Sequence, residues 1–96
     1  MSHENKYNDV QTFVNEKGMI CKRFLLDGVT VEVTPATLGK IINAKKFCRT
    51  EHDFLLTLLN QCTRFDGKKR LKKEIEALPL PHFFKIQTVF TSITFK

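Results

Sequence analysis

The sequence predicts a small α+β domain in which an antiparallel sheet, begun by an N-terminal meander, packs against two or three helices. Three observations point there. Apolar and polar residues alternate on both sides of Asp27-Gly28, the pattern of a hairpin with a two-residue turn. Beyond Thr34 the apolar spacing changes from two residues to about 3.6, the period of a helix. The chain has 96 residues, 42% of them apolar, which suffices for one hydrophobic core and not for two. Residues 1–96 are therefore expected to form one globular domain. Nine Phe with only four Gly and three Pro make the chain too rich in core formers for a disordered or low-complexity segment.

The first strand is expected over residues 10–14, closed by the turn residues Asn15-Glu16-Lys17-Gly18. Residues 19–26 and 29–33 then form the hairpin. A two-residue loop at Asp27-Gly28 sets Leu26 opposite Val29, Phe24 opposite Val31 and Lys22 opposite Val33, a mostly apolar face. The other face pairs Arg23 with Glu32. A short helix follows near residues 35–45, with Thr34 as N-cap, Pro35 in the first position and Leu38, Ile41 and Ile42 at helical spacing. A second helix over residues 51–63 opens on Thr50 with Asp53 three residues on. It carries Phe54, Leu55, Leu58, Leu59 and Cys62 as one apolar stripe. A third is expected to start after Asp66, with Leu71, Ile75 and Leu78 inward, and to stop at Pro79. Leu78-Pro79-Leu80-Pro81 then reads as a stiff extended connector. Residues 83–96 are crowded with Phe, Ile, Val and Thr and are expected to be a strand. Their alternation slips between Ile86 and Val89, and Phe83, Ile86, Phe90 and Ile93 also fit a helix.

The net charge of +6 is localised. Residues 34–73 carry ten basic and three acidic side chains, a net +7, while residues 1–33 sum to −1 and residues 74–96 to zero. The basic set is Lys40, Lys45, Lys46 and Arg49, then Arg64, Lys68, Lys69, Arg70, Lys72 and Lys73. On a helix that starts after Asp66, Lys68, Lys69 and Arg70 occupy the first turn, where the macrodipole disfavours each exposed cation by ~0.3–1 kcal/mol. A phosphate at that end would offset the cost. The bland alternative is a solvated charged face.

Other chemistry finds little support. Two adjacent helices suggest a helix-turn-helix with Thr57, Asn60, Gln61 and Arg64 turned outward. Glu51 and Asp53 would then meet phosphates at the end of the recognition helix that approaches DNA, and the usual turn glycine is missing. Cys48 and His52, with Cys62 and His82 later, match no familiar zinc spacing, and no third group orients Cys48 and His52 as nucleophile and base. Gly67-Lys68-Lys69 lacks the upstream glycine and following hydroxyl of a P-loop. Glu74 and Glu76 point to different sides of a helix and do not form a carboxylate pair. No enzyme, metal or cofactor is expected. Residues 1–6 are polar, without the apolar core of a secretory signal, so the mature chain is expected to begin at Met1. The charge-free runs at residues 54–63 and 86–95 are half the ~20 residues of a membrane span, so no membrane anchor is expected. Three cysteines without CxxC spacing fit a reducing, cytoplasmic setting.

The expected function is a small non-enzymatic binding module that holds nucleic acid through residues 64–73, assisted by Lys40, Lys45, Lys46 and Arg49. The alternative is a compact regulator or inhibitor that docks on an acidic surface of a larger protein or nucleic-acid-processing complex. Phe47, Phe65 and Phe83 lie beside basic or turn residues and are the rings expected to be most exposed, with Phe65 next to Arg64 as the anchor for either partner.

Overall fold

The two Asp-Gly dipeptides of the sequence set the register of the sheet. The computed structural model describes residues 10–95; residues 1–6, on which the expectation about a leader rests, lie outside the described residues. Strands β1 (Gln11–Val14), β2 (Ile20–Leu26), β3 (Val29–Val33) and β4 (Thr63–Phe65) form one antiparallel sheet in the order β1-β2-β3-β4. The β2–β3 register is the expected one, with Leu26 opposite Val29, Phe24 opposite Val31, Lys22 opposite Val33, and Arg23 opposite Glu32 at 3.4 Å between Nη1 and Oε2.

The fourth strand is new relative to the sequence reading, which places a helix after Asp66. Asp66 and Gly67 instead adopt φ of 53° and 83°, nearly the 50° and 80° of Asp27 and Gly28. Both dipeptides therefore make the same left-handed two-residue turn. Phe65 and Lys68 exchange backbone hydrogen bonds of 2.7 and 3.0 Å across it. Asp66 ties the turn to β3, its N–H donating to the Thr30 carbonyl at 2.7 Å and its Oδ1 accepting from the Thr30 N–H at 3.0 Å. What remains of the expected third helix is the short α3 (Lys72–Glu76), opened by the Leu71 N–H donating to Glu74 Oε1 at 2.8 Å.

The helices are α1 (Leu38–Phe47), α2 (Glu51–Cys62), α3 and α4 (Leu80–Thr94), one more than the two or three expected. Helix α1 starts later than expected because Thr34 is already engaged: its N–H and Oγ1 both donate to the Cys62 carbonyl, at 2.8 and 3.3 Å, and prolong β3. Thr37 takes over as N-cap, accepting from the Lys40 N–H at 3.3 Å. Thr50 caps α2 as expected, accepting from the Asp53 N–H at 3.0 Å.

The C-terminal segment is a helix and not the expected strand. Its buried residues Ile86, Val89 and Phe90, with Phe83 and Ile93 partly buried beside them, follow a 3.6-residue period. Burial of that face outweighs the modest helix propensity of Thr, Val and Ile, which separates them from Ala by less than ~0.7 kcal/mol per residue. The prolines expected in an extended connector belong to the helix start. Pro79 is the N-cap and Pro81 lies in the first turn, where a missing N–H costs nothing.

One face of the sheet holds the core. Phe24, Val31 and Phe65 stand in a row across β2, β3 and β4, with Val33 and Thr63 as the next row. Helix α4 lies against β2 and β3, and α2 lies against β4 and α4. Leu56, Leu58, Leu59 and Cys62 from α2, Ile75 from α3 and Ala44 from α1 complete this core cluster, and Cys21 on β2 is buried outside it. The α2 stripe is shifted from the expected one: Leu56 is buried, whereas Phe54 and Leu55 are only partly so.

Glycine substitutions separate backbone demand from space. A Cβ on Gly67 meets no atom within 4 Å, yet the φ of +83° strains any L-residue. Gly67→Ala is expected to destabilise by roughly 1 kcal/mol. Gly39→Ala, on an unstrained helical position whose nearest neighbour is Thr37 Oγ1 at 4.0 Å, should stabilise by roughly 0.5 kcal/mol. Urea denaturation midpoints of the two variants against the parent chain check both signs.

Candidate functional site

Helix α2 is the axis on which the basic residues are arranged. Helix α1 packs along one side of it and α3 along the other. Lys45 Nζ stands 5.8 Å from the centroid of the Phe54 ring, and Cys48 Sγ is 3.3 Å from Thr57 Oγ1. The C-terminal end of α1 is therefore beside the first half of α2. On the α3 side, the Asn60 side-chain amide donates to the Arg70 carbonyl, Lys72 pairs with Asp53, and His52 Nε2 lies 3.4 Å from Glu76 Oε2.

This frame divides the expected basic surface in two. Burial pushes the Cys62 thiol up, and Lys40, Arg64 and Lys69 act in the opposite direction through their charge. Three cations from α1, β4 and the segment after the second turn thus lie within electrostatic reach of Cys62, the last residue of α2. Lys68 precedes Lys69 at the turn itself, and both are exposed. Lys45 and Arg49, with Lys46 beside them in sequence, lie toward the opposite end, at the N-terminus of α2.

The electrostatics of the first group differ from the sequence expectation. Lys68, Lys69 and Arg70 precede α3 and do not sit in its first turn, so the unfavourable helix-dipole term does not arise there. Lys40, Arg64 and Lys69 instead face the negative end of α2, where cations are favoured. Among the described residues, Lys40, Arg64, Lys68 and Lys69 have no carboxylate within 4 Å. Glu32 stands across from Arg64 in the strand ladder, but its carboxylate is paired with Arg23.

The other expected site residues have structural duties. Arg70 lays its guanidinium over the Phe65 ring, 4.3 Å from the centroid. Phe65 itself is only 5% exposed and belongs to the core, so it cannot be the expected surface anchor. Strand alternation explains this: Arg64 and Phe65 are consecutive and must face opposite sides of the sheet. Lys72 is held by Asp53, and Lys73 is exposed on α3. Phe83 is half-buried, whereas Phe47 is 80% exposed as expected.

Helix α2 does not present a recognition face. Thr57, Asn60 and Gln61 are half-buried, Thr57 against Cys48 and Asn60 against the Arg70 carbonyl, and Arg64 lies in β4. Cys48 and His52 are committed to separate partners, Thr57 and Glu76. Among the described residues no three His, Cys, Asp or Glu side chains gather as a metal site, and no helix is long and apolar enough to cross a membrane.

A second feature was not legible in the expected core list. Leu38 and Ile42, expected at helical spacing on α1, are 72% and 53% exposed, and α1 buries Ala44 instead. Their stripe leads toward a groove of about 540 Å³ lined by Lys45, Cys48, Arg49, Thr50, Glu51, Phe54 and Leu55. The sequence signal is the width of the apolar arc on α1: Leu38, Ile41, Ile42 and Ala44 span more of the helix than one packing partner covers.

The Asp53–Lys72 pair fastens α3 to α2. The hydrogen bond from Lys72 holds the Asp53 carboxyl below its ordinary 3.8, and the same bond raises the Lys72 ammonium above 10.5. The Asp53 contribution to stability is full above pH 3.8 and is lost as the pH falls through the lower folded-state value. The Lys72 contribution is full below pH 10.5 and is lost as the pH rises through its raised value. Carbon-13 titration of the Asp53 carboxyl should give a midpoint below 3.8 that returns toward 3.8 in Lys72→Met; a midpoint insensitive to that change would show that the pair is absent in solution. Compared with protein-family models, curated proteins and solved structures, the chain matches none.

Proposed function

We propose that this chain is a small non-enzymatic nucleic-acid-binding module, acting in a reducing compartment such as the cytoplasm. The observation that carries the proposal is that Arg64 follows directly on the C-terminal end of α2 in β4, with Lys68 and Lys69 after the next turn and Lys40 of α1 within electrostatic reach of Cys62, none of them with a carboxylate within 4 Å among the described residues. Such a group gains most from a polyanion, because each phosphate contact releases condensed counterions. The group has no stacking platform of its own: its neighbouring ring, Phe65, is buried under Arg70. Contact through the phosphate backbone, without base readout, suits this arrangement. Three free thiols support the reducing setting.

Binding to a fluorescent random-sequence DNA duplex, followed by anisotropy over a series of salt concentrations, tests the proposal. Lys68→Gln with Lys69→Gln is expected to flatten the plot of log K against log[salt] by about two units, about one per lost phosphate contact. Lys72→Gln should leave the slope unchanged, since Lys72 is engaged by Asp53. No binding at low salt, or an equal slope in the double variant, overturns the nucleic-acid role. That result would favour a regulator or inhibitor docked on an acidic surface of a larger protein.

A further inference from the structure

The groove at the α1–α2 junction is a second surface, at the end of α2 away from the Lys40–Arg64–Lys69 group. Its floor is apolar, formed by Phe54 and Leu55, both only partly buried. Its rim is cationic, with Lys45 and Arg49, and carries a single acid, Glu51. The volume of about 540 Å³ is that of a site able to receive one or two large side chains. Leu38, Ile42 and Lys45, spaced by four and three residues, share one face of α1, so the exposed apolar stripe runs into the groove. Lys46 extends the positive charge along α1, which contains no acidic residue.

We propose that this stripe and groove form a docking site for an acidic amphipathic segment of a partner protein. Its apolar side chains would cover Leu38 and Ile42 and enter the groove over Phe54 and Leu55. Its carboxylates would meet Lys45, Lys46 and Arg49. Two features on the same face select that chemistry. Leu38 and Ile42, at 72% and 53% exposure, call for an apolar cover that a phosphate backbone cannot supply. Two cations against one acid at the rim, with Lys46 beyond it on α1, call for a negatively charged flank. The site is separate from the proposed nucleic-acid surface, and either can fail without the other.

The absence of Trp from the chain provides the assay, because a peptide carrying one Trp is then the sole indole in the mixture. The probe is a panel of sixteen-residue peptides with Leu, Phe and one Trp at helical i, i+3, i+4, i+7 spacing and Glu or Asp elsewhere. The control panel has Lys in place of every acid. Acidic peptides are expected to bind the intact chain, with a blue-shifted Trp emission and at least a tenfold preference over the Lys panel. Ile42→Glu and Arg49→Glu should each weaken binding at least tenfold, whereas Lys68→Gln with Lys69→Gln should leave it unchanged. Ile42 and Arg49 are both exposed, and an unchanged circular dichroism melt would show that each variant is folded. Equal binding of both panels, binding unaffected by Ile42→Glu and Arg49→Glu in folded protein, or no binding by any acidic peptide overturns the proposal. It is also overturned if phosphatidylserine vesicles or duplex DNA bind in an Ile42-dependent manner and acidic peptides do not.

Discussion

Phe24, Val31 and Phe65 stand side by side across three strands, and the outward placement of Arg64 and of the turn that follows it depends on that row. The side-chain period of a strand is two, so a slip of one residue in either pairing would exchange the inner and outer faces. The row is held at both ends by the same device. Asp27-Gly28 closes β2 onto β3, and Asp66-Gly67 closes β4 onto Lys68 in nearly the same backbone conformation. With Phe65 directed into the core, Arg64 is forced outward and Lys68 and Lys69 are carried to the turn. The arrangement of the basic residues is thus a consequence of core packing.

Helix α2 then divides the charge. It is the element shared by most of the packing, touching α1, α3, α4 and β4. A helix in that position has little surface left for a ligand, which removes the helix-turn-helix reading and leaves its two ends as the places where cations gather. Those at the C-terminal end come from α1, β4 and the following segment and are favoured by the helix dipole. Those at the N-terminal end include Lys45 and Lys46 in the last turn of α1 and lie beside an apolar groove, so the two ends differ in chemistry although both are basic.

Local signals were legible where a single interaction decided them. Asp27-Gly28 with alternating flanks specified the hairpin and its register, and Thr50 with Asp53 specified the start of α2. The second Asp-Gly carried the same information, but its downstream flank is Lys68, Lys69 and Arg70, which gives no alternation to read. Thr34 and Thr37 are both able to cap α1, and only the hydrogen bonds of Thr34 to the Cys62 carbonyl settle the choice. Phe65 looked exposed because it adjoins Arg64. In a strand, however, adjacency means opposite faces, and the three residues of β4 are too few to show an alternation in the sequence.

By itself, the sequence determined the α+β class, the β2–β3 hairpin with its register, the capped start of α2 and the concentration of positive charge between residues 34 and 73. These depend on contacts within a turn or on one periodicity. Tertiary structure alone decided that residues 80–94 form a helix, because a segment rich in Phe, Ile, Val and Thr suits either state until a sheet face is there to bury Ile86, Val89 and Phe90. It also decided that the basic segment is divided between the two ends of α2, since Lys40, Arg64 and Lys69 are distant in sequence and act together on Cys62 only when α1 and β4 pack on the same helix.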